Sequence, residues 1–137
     1  MSWPEVVGDL SDPRVRLRNS SEEFSIVENL CHLRDIEIEG YETRINTILA
    51  ESNPTLLDID GARLAVERDY NQQIPTSALR DFSEARKRNV KVLRQLRAEQ
   101  LDRQGSFEAT GPVTIRRLLE MMHEHDEGHL SDLKRLV

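Results

Sequence analysis

The octapeptide HEHDEGHL, His123 to Leu130, carries three of the chain's four histidines. Imidazole is a common metal ligand and titrates near neutral pH, so the direction in which each ring faces decides its chemistry. In the surrounding segment Ile115, Leu118, Met122, Leu133 and Leu136 recur at steps of three and four, the apolar stripe of an amphipathic helix. Continuing those steps through the gap after Met122 lands on positions 125 and 129. His125 and His129 therefore occupy seam positions that a plain helical bundle fills with Leu or Ile. Spaced i, i+4, they lie one turn apart on one face and can reach a single ion. His123 falls off that face, at about 100° per residue, and is expected in solvent beside Glu124 and Glu127.

Two imidazoles from one helix need a third ligand from elsewhere. The fourth histidine, His32, lies close to the seam of an earlier helical segment, in HLRD, with Glu28 and Asp35 about one turn to either side. A ligating histidine usually donates its other ring N–H to a carboxylate or carbonyl, and Asp35 and Glu28 are the expected partners. His32, His125 and His129 thus form the candidate ligand set for a divalent ion. The bland competing reading keeps all of them as core residues whose ring nitrogens are satisfied by neighbours. No residue beyond these stands out as catalytic, although Asp35, Glu28 or Asp126 could assist. HDEGH differs from a zincin motif because Asp126 follows the first histidine where that motif has Glu. Cys31, beside His32, falls on the apolar seam and is expected to pack as a small hydrophobe.

The elements that must position these rings are helical. Met1 to Asn19 is polar and broken by Pro4, Gly8 and Pro13, an irregular segment with room for a short turn around Val6 to Leu10. Ser20 with Glu23 three residues on reads as a capping box. The helix after it is expected to reach about Glu51, with Phe24, Val27, Cys31, Ile38, Tyr41, Ile45 and Ile48 inward, and Asn53-Pro54 stops it. A connection of about twenty residues follows, with a short helix expected over Ala62 to Asp69. A second long helix, capped by Thr76 or Ser77, should run to about Asp102 with Leu79, Phe82, Ala85, Leu93 and Leu96 inward. QGSFEATGP reads as a loop, and Thr114 caps the last helix. No period-two alternation argues for strands, so the class is all-α, one domain over 1–137.

Composition agrees with that class and excludes others. The 137 residues are 37% hydrophobic and 32% charged, with six Gly and five Pro, a balance typical of a helical soluble chain. Net charge is −6 without a basic stripe, which disfavours nucleic-acid binding by counterion release. The ARKRN run, Ala85 to Asn89, reads as a solvated helix face. No apolar run approaches the roughly 20 residues that cross a bilayer, no secretory signal is visible, and a single cysteine fits a reducing cytosol.

FSIVENLCHLRDIE, a crossover containing NPTL and ERDYN, and GPVTIRRLLEMMHEHDEGHLSDLKRL together resemble the DinB/YfiT-like superfamily, over roughly Glu22 to Val137. The resemblance implies an antiparallel four-helix bundle in which one histidine of the second helix and an HxxxH of the last bind a divalent metal. Those positions are His32, His125 and His129 here. It also implies a first helix that this chain replaces by about twenty proline-interrupted residues, and a homodimer is expected to cover the seam so exposed. Zinc is the first expectation for the ion, with nickel or iron as alternatives, since imidazole suits all of them. Relatives implied by the resemblance include transferases that use a low-molecular-weight thiol on a small electrophile. A metal-dependent hydrolase, and a non-catalytic dimerisation module with a structural metal, are the alternatives.

Overall fold

Ser25 precedes Ile26-Val27, the first apolar pair that can be buried without interruption, and there the first long helix begins. A computed structural model of the chain describes residues 7–136. Ser25 Oγ accepts from the Glu28 N–H at 3.1 Å while Glu28 Oε1 accepts from the Ser25 N–H at 3.0 Å. This is the reciprocal capping box, so the cap expected at Ser20 and Glu23 lies five residues further on. Both pairs have the right spacing. Only the second sits against the core, and Arg18 closes over its Glu28 carboxylate with two bonds of 2.6 Å.

The helix that follows is continuous but not uniform. Helix α1 (Ile26–Asp35) passes into a π-helical stretch (Ile36–Glu42) and then into α2 (Thr43–Ala50). The wider i→i+5 turns rotate the face. Ile38, expected inward, is only half-buried, whereas Glu37, Gly40 and Tyr41 are buried. Val27, Cys31, Ile45 and Ile48 are buried as expected.

The crossover holds strand β1 (Thr55–Leu56), helix α3 (Gly61–Glu67) capped by Asp60, and a 3-10 turn (Tyr70–Gln72). Helix α4 (Pro75–Arg94) starts at a proline in its first turn, with no side-chain cap from Thr76 or Ser77. Proline suits that position because its missing N–H has no intrahelical partner there anyway. The helix ends eight residues before Asp102, and the chain resumes as the short α5 (Ala98–Leu101). QGSFEATGP then forms a hairpin rather than a loop: β2 (Gln104–Phe107) pairs antiparallel with β3 (Gly111–Thr114), and β1 adds in parallel. Thr114 caps α6 (Ile115–Leu136) as expected, accepting from the Arg117 N–H at 3.0 Å.

Two apolar clusters fill the bundle. Val27, Leu30, Cys31, Tyr70, Ala78, Phe82 and Leu133 belong to the first, and Tyr41, Ile45, Ile48, Phe107, Ile115, Leu118 and Met122 to the second. The N-terminal segment, described from Val7 onward, packs against the first of these clusters. Its 3-10 turn (Pro13–Arg16) buries Val15, and Val7 joins the same cluster, while Val6 lies outside the described residues. No described helix is long and apolar enough to cross a membrane.

The two serine–glutamate pairs separate cleanly in a denaturation experiment. Ser25→Ala should lower stability by about 1–2 kcal/mol, whereas Ser20→Ala should change it by less than about 0.5 kcal/mol. A larger loss at Ser20 would return the helix start to the earlier pair.

Candidate metal centre

Between the two apolar clusters lies a polar layer. On α6, His125 and His129 separate Met122 of one cluster from Leu133 of the other, and on α1 His32 sits just past Leu30 and Cys31. The three rings meet there. His125 Nε2 lies 3.2 Å from His32 Nε2 and 3.1 Å from His129 Nε2, and one ring nitrogen of each residue falls within 4.8 Å of the others. His123 points away into solvent, 74% exposed, with Glu127 at 3.1 Å. The separation of the HEHDEGHL histidines into two facing inward and one facing out is therefore a feature of the fold.

Burial sets the protonation state. It holds His32 down to about 3 and His129 down to about 4, with the neighbouring rings adding to the effect, and it lowers His125 as well. All three rings are therefore neutral at pH 7, each with one nitrogen lone pair free. For His129 the surrounding bonds decide which nitrogen that is. Asn29 Nδ2 donates to the Ser25 carbonyl at 3.0 Å, which turns Asn29 Oδ1 towards His129 Nδ1 at 2.8 Å. An amide oxygen only accepts, so Nδ1 carries the proton and Nε2 keeps its lone pair.

Neutral rings alone satisfy this arrangement poorly. His125 Nε2 has two nitrogen neighbours at hydrogen-bond distance and at most one proton to offer them. One cation among the rings resolves the conflict. Imidazole nitrogens about 2.0–2.1 Å from a shared ion stand roughly 3–3.4 Å apart, and the two spacings at His125 Nε2 fall in that range. The residues present fit a divalent ion.

The carboxylates expected to orient His32 have other partners. Glu28 is held by Arg18 and by the Ser25 N–H. Asp35 accepts from Arg34 at 2.9 Å, from Arg68 at 3.0 Å and from the Tyr70 hydroxyl. His32 Nδ1 is buried with no hydrogen-bond partner among the described residues. Backbone holds the ring instead: a Cβ at Gly61 would come 2.7 Å from His32 Cε1 and 2.9 Å from Nδ1. Phe24 tilts against the same imidazole, with ring centroids 5.6 Å apart.

Asp126, next to His125, is likewise committed. Arg86 forks onto it at 2.8 and 2.9 Å, and onto the buried Glu37 at 2.8 and 2.9 Å, with Asn89 Nδ2 adding 2.7 Å to Glu37. The ARKRN run is thus only partly a solvated face: Lys87 and Arg88 are exposed, but Ala85 and Asn89 are buried and Arg86 points inward. Cys31 packs in the apolar cluster as expected, its thiol pushed up to about 11 by burial. Asn29 and Gly61 were not among the residues singled out from the sequence, and Arg86 was read only as part of a solvated face. A hint exists for one of them: Asn29 sits within VENLCHL in a helix interior, where asparagine is a poor former.

Comparison with known proteins agrees with this architecture. OB0413 of Oceanobacillus iheyensis, whose name places it provisionally among metal-dependent hydrolases, is 24% identical over 130 residues, 95% of this chain and 74% of that protein. YuaE of Bacillus subtilis, an uncharacterised protein, is 25% identical over 149 aligned positions, 98% of this chain and 90% of that one. The solved structure of YfiT from Bacillus subtilis is described as a probable metal-dependent hydrolase with an unusual four-helix bundle topology. It superposes with a TM-score of 0.86 at 19% identity, over 97% of this chain and 76% of that one. At that identity the likeness establishes the fold. Residues 1–133 match the family model of the DinB superfamily, and the chain belongs to that superfamily.

Proposed function

We propose that His32, His125 and His129 bind one divalent ion through their Nε2 atoms, and that the protein is a metal-dependent hydrolase acting on a small molecule. The approach of the His32 and His129 Nε2 atoms to His125 Nε2, with the His129 tautomer set by Asn29, carries this reading. The names of OB0413 and YfiT support the hydrolase class. Among the described residues three ligands gather and no fourth joins them. That is the pattern of a catalytic site with an open position rather than a closed structural one. Zinc is the first candidate, with nickel or iron next.

A divalent ion supplies Lewis acidity that lowers the pKa of a bound water or thiol. The protein's part is to hold its ligands. Asn29 fixes the His129 ring and its tautomer, the Gly61 backbone backs the His32 ring, and the Arg86 fork ties Asp126, and with it His125, to the π-helical stretch. One observation keeps transfer of a low-molecular-weight thiol to a small electrophile as a second reading. Both carboxylates beside His32 and the one beside His125 are engaged by arginines. A thiol, being far more acidic than water, needs such a base less.

Protein purified without added metal should hold close to one equivalent of a divalent ion by elemental analysis. His125→Ala should lose it, His123→Ala should keep it, and Gly61→Ala should weaken affinity by about 10–100-fold, the usual size of an effect on a ligand's support. Metal-free wild-type protein, or loss in His123→Ala, would overturn the site. A parallel screen of esters and amides against thiol–electrophile pairs separates the two reactions.

We also infer a homodimer. Leu17, 64% exposed, on the N-terminal segment and Val66, 79% exposed, on α3 are large apolar side chains left in solvent, suited to a partner copy. Light scattering should report about twice the 15.8 kDa chain mass, and a stable monomer would overturn the dimer.

A further inference from the structure

A cleft of about 350 Å³ reaches His129, one of the three clustered histidines, between α6 and the segment that leads into α1. Its inner wall is made by His129 and Asn29, which bond each other, and by Phe24, whose ring leans on His32. Ala62, adjacent to the glycine that backs His32, and Leu136 add apolar lining. The cleft therefore touches the supports of two of the three candidate ligands.

Its mouth is acidic. Glu22, Glu23 and Asp132 line it against one cation, Arg135, a balance of three negative charges to one positive. Arg135 is already engaged, by Glu23 at 3.1 Å and by Asp132 at 2.7 Å. Glu22 forms no ion pair among the described residues, and the nearby Arg18 is spent on Glu28. The net charge of the whole chain, −6, has the same sign. Apart from the charge of the ion itself, an anion on approach meets more carboxylate than arginine at this mouth, whereas a cation is drawn to it, and clefts with low-dielectric walls focus such fields.

We propose that this cleft is the substrate entrance and that it favours small neutral or cationic molecules with an apolar body over anionic ones. The inference rests on the metal reading above and adds the substrate class. Phe24 and Leu136 take the apolar part. Glu22 and Asp132 set the charge preference, so they are specificity residues rather than catalytic ones.

Protein loaded with Co²⁺ tests it without a known substrate, through the sulfur-to-cobalt charge-transfer absorption of three short thiols. Cysteamine carries a cation, 2-mercaptoethanol is neutral and mercaptoacetate carries an anion. The readout is the ratio of cysteamine to mercaptoacetate affinity in wild type against Glu22→Gln/Asp132→Asn, because intrinsic thiol acidity cancels between the two proteins. The ratio should fall at least about fivefold in the double variant, and the wild-type ratio should shrink as salt screens the mouth. Glu22→Gln alone, at an exposed position, should shift it the same way and serves if the double variant misfolds. Cobalt taken up with an unchanged ratio overturns the substrate class alone. Failure to take up cobalt overturns the metal reading and this inference with it.

Discussion

Three neutral imidazoles brought together in a low-dielectric layer impose the central constraint on this bundle. A buried ring nitrogen needs a partner, and His125 Nε2 has two other ring nitrogens as its neighbours. The helices cannot slide past one another without separating those nitrogens. The layer also divides the apolar interior into two clusters, so the bundle is not one uninterrupted core. In a chain of this size, giving polar groups a full layer of the interior sacrifices hydrophobic burial that a purely structural bundle would keep.

Charged networks flank that layer on the same helices. Asp35 gathers Arg34, Arg68 and Tyr70, joining α1 to the crossover. Glu37 gathers Arg86 and Asn89, and Arg86 reaches on to Asp126, joining the π-helical stretch, α4 and α6. Buried ion pairs of this kind add little net stability when they replace well-packed hydrophobes, but breaking one is costly. Their evident role is geometric. The π-helical stretch is what turns Glu37 inward to meet Arg86, and irregular helical turns of this type recur near functional sites.

Much of this arrangement was legible along the chain. The three-and-four spacing from Ile115 to Leu136 separated His125 and His129 from His123, because helical periodicity is local and the apolar stripe marks its own face. The Thr114 cap was readable for the same reason. The hairpin from Gln104 to Thr114 was not, since strands of four residues are too short to show alternation and β1 has only two. The first cap was misplaced because Ser20–Glu23 and Ser25–Glu28 have the same pattern, and only the core decides between them.

The amino-acid sequence by itself determined the helical class, the inward pair on the last helix and His32 as the one histidine left to join them. Each of these depends on residue type and on spacing within a single helix. Tertiary structure alone decided what supports the rings. Asn29 rather than Asp35 or Glu28 bonds a histidine, Gly61 closes behind His32, and Arg86 leaves the surface to hold Asp126. Those contacts join residues from 29 to 100 positions apart. Which polar group finds a buried partner depends on how helices pack and rotate, and no local pattern encodes that.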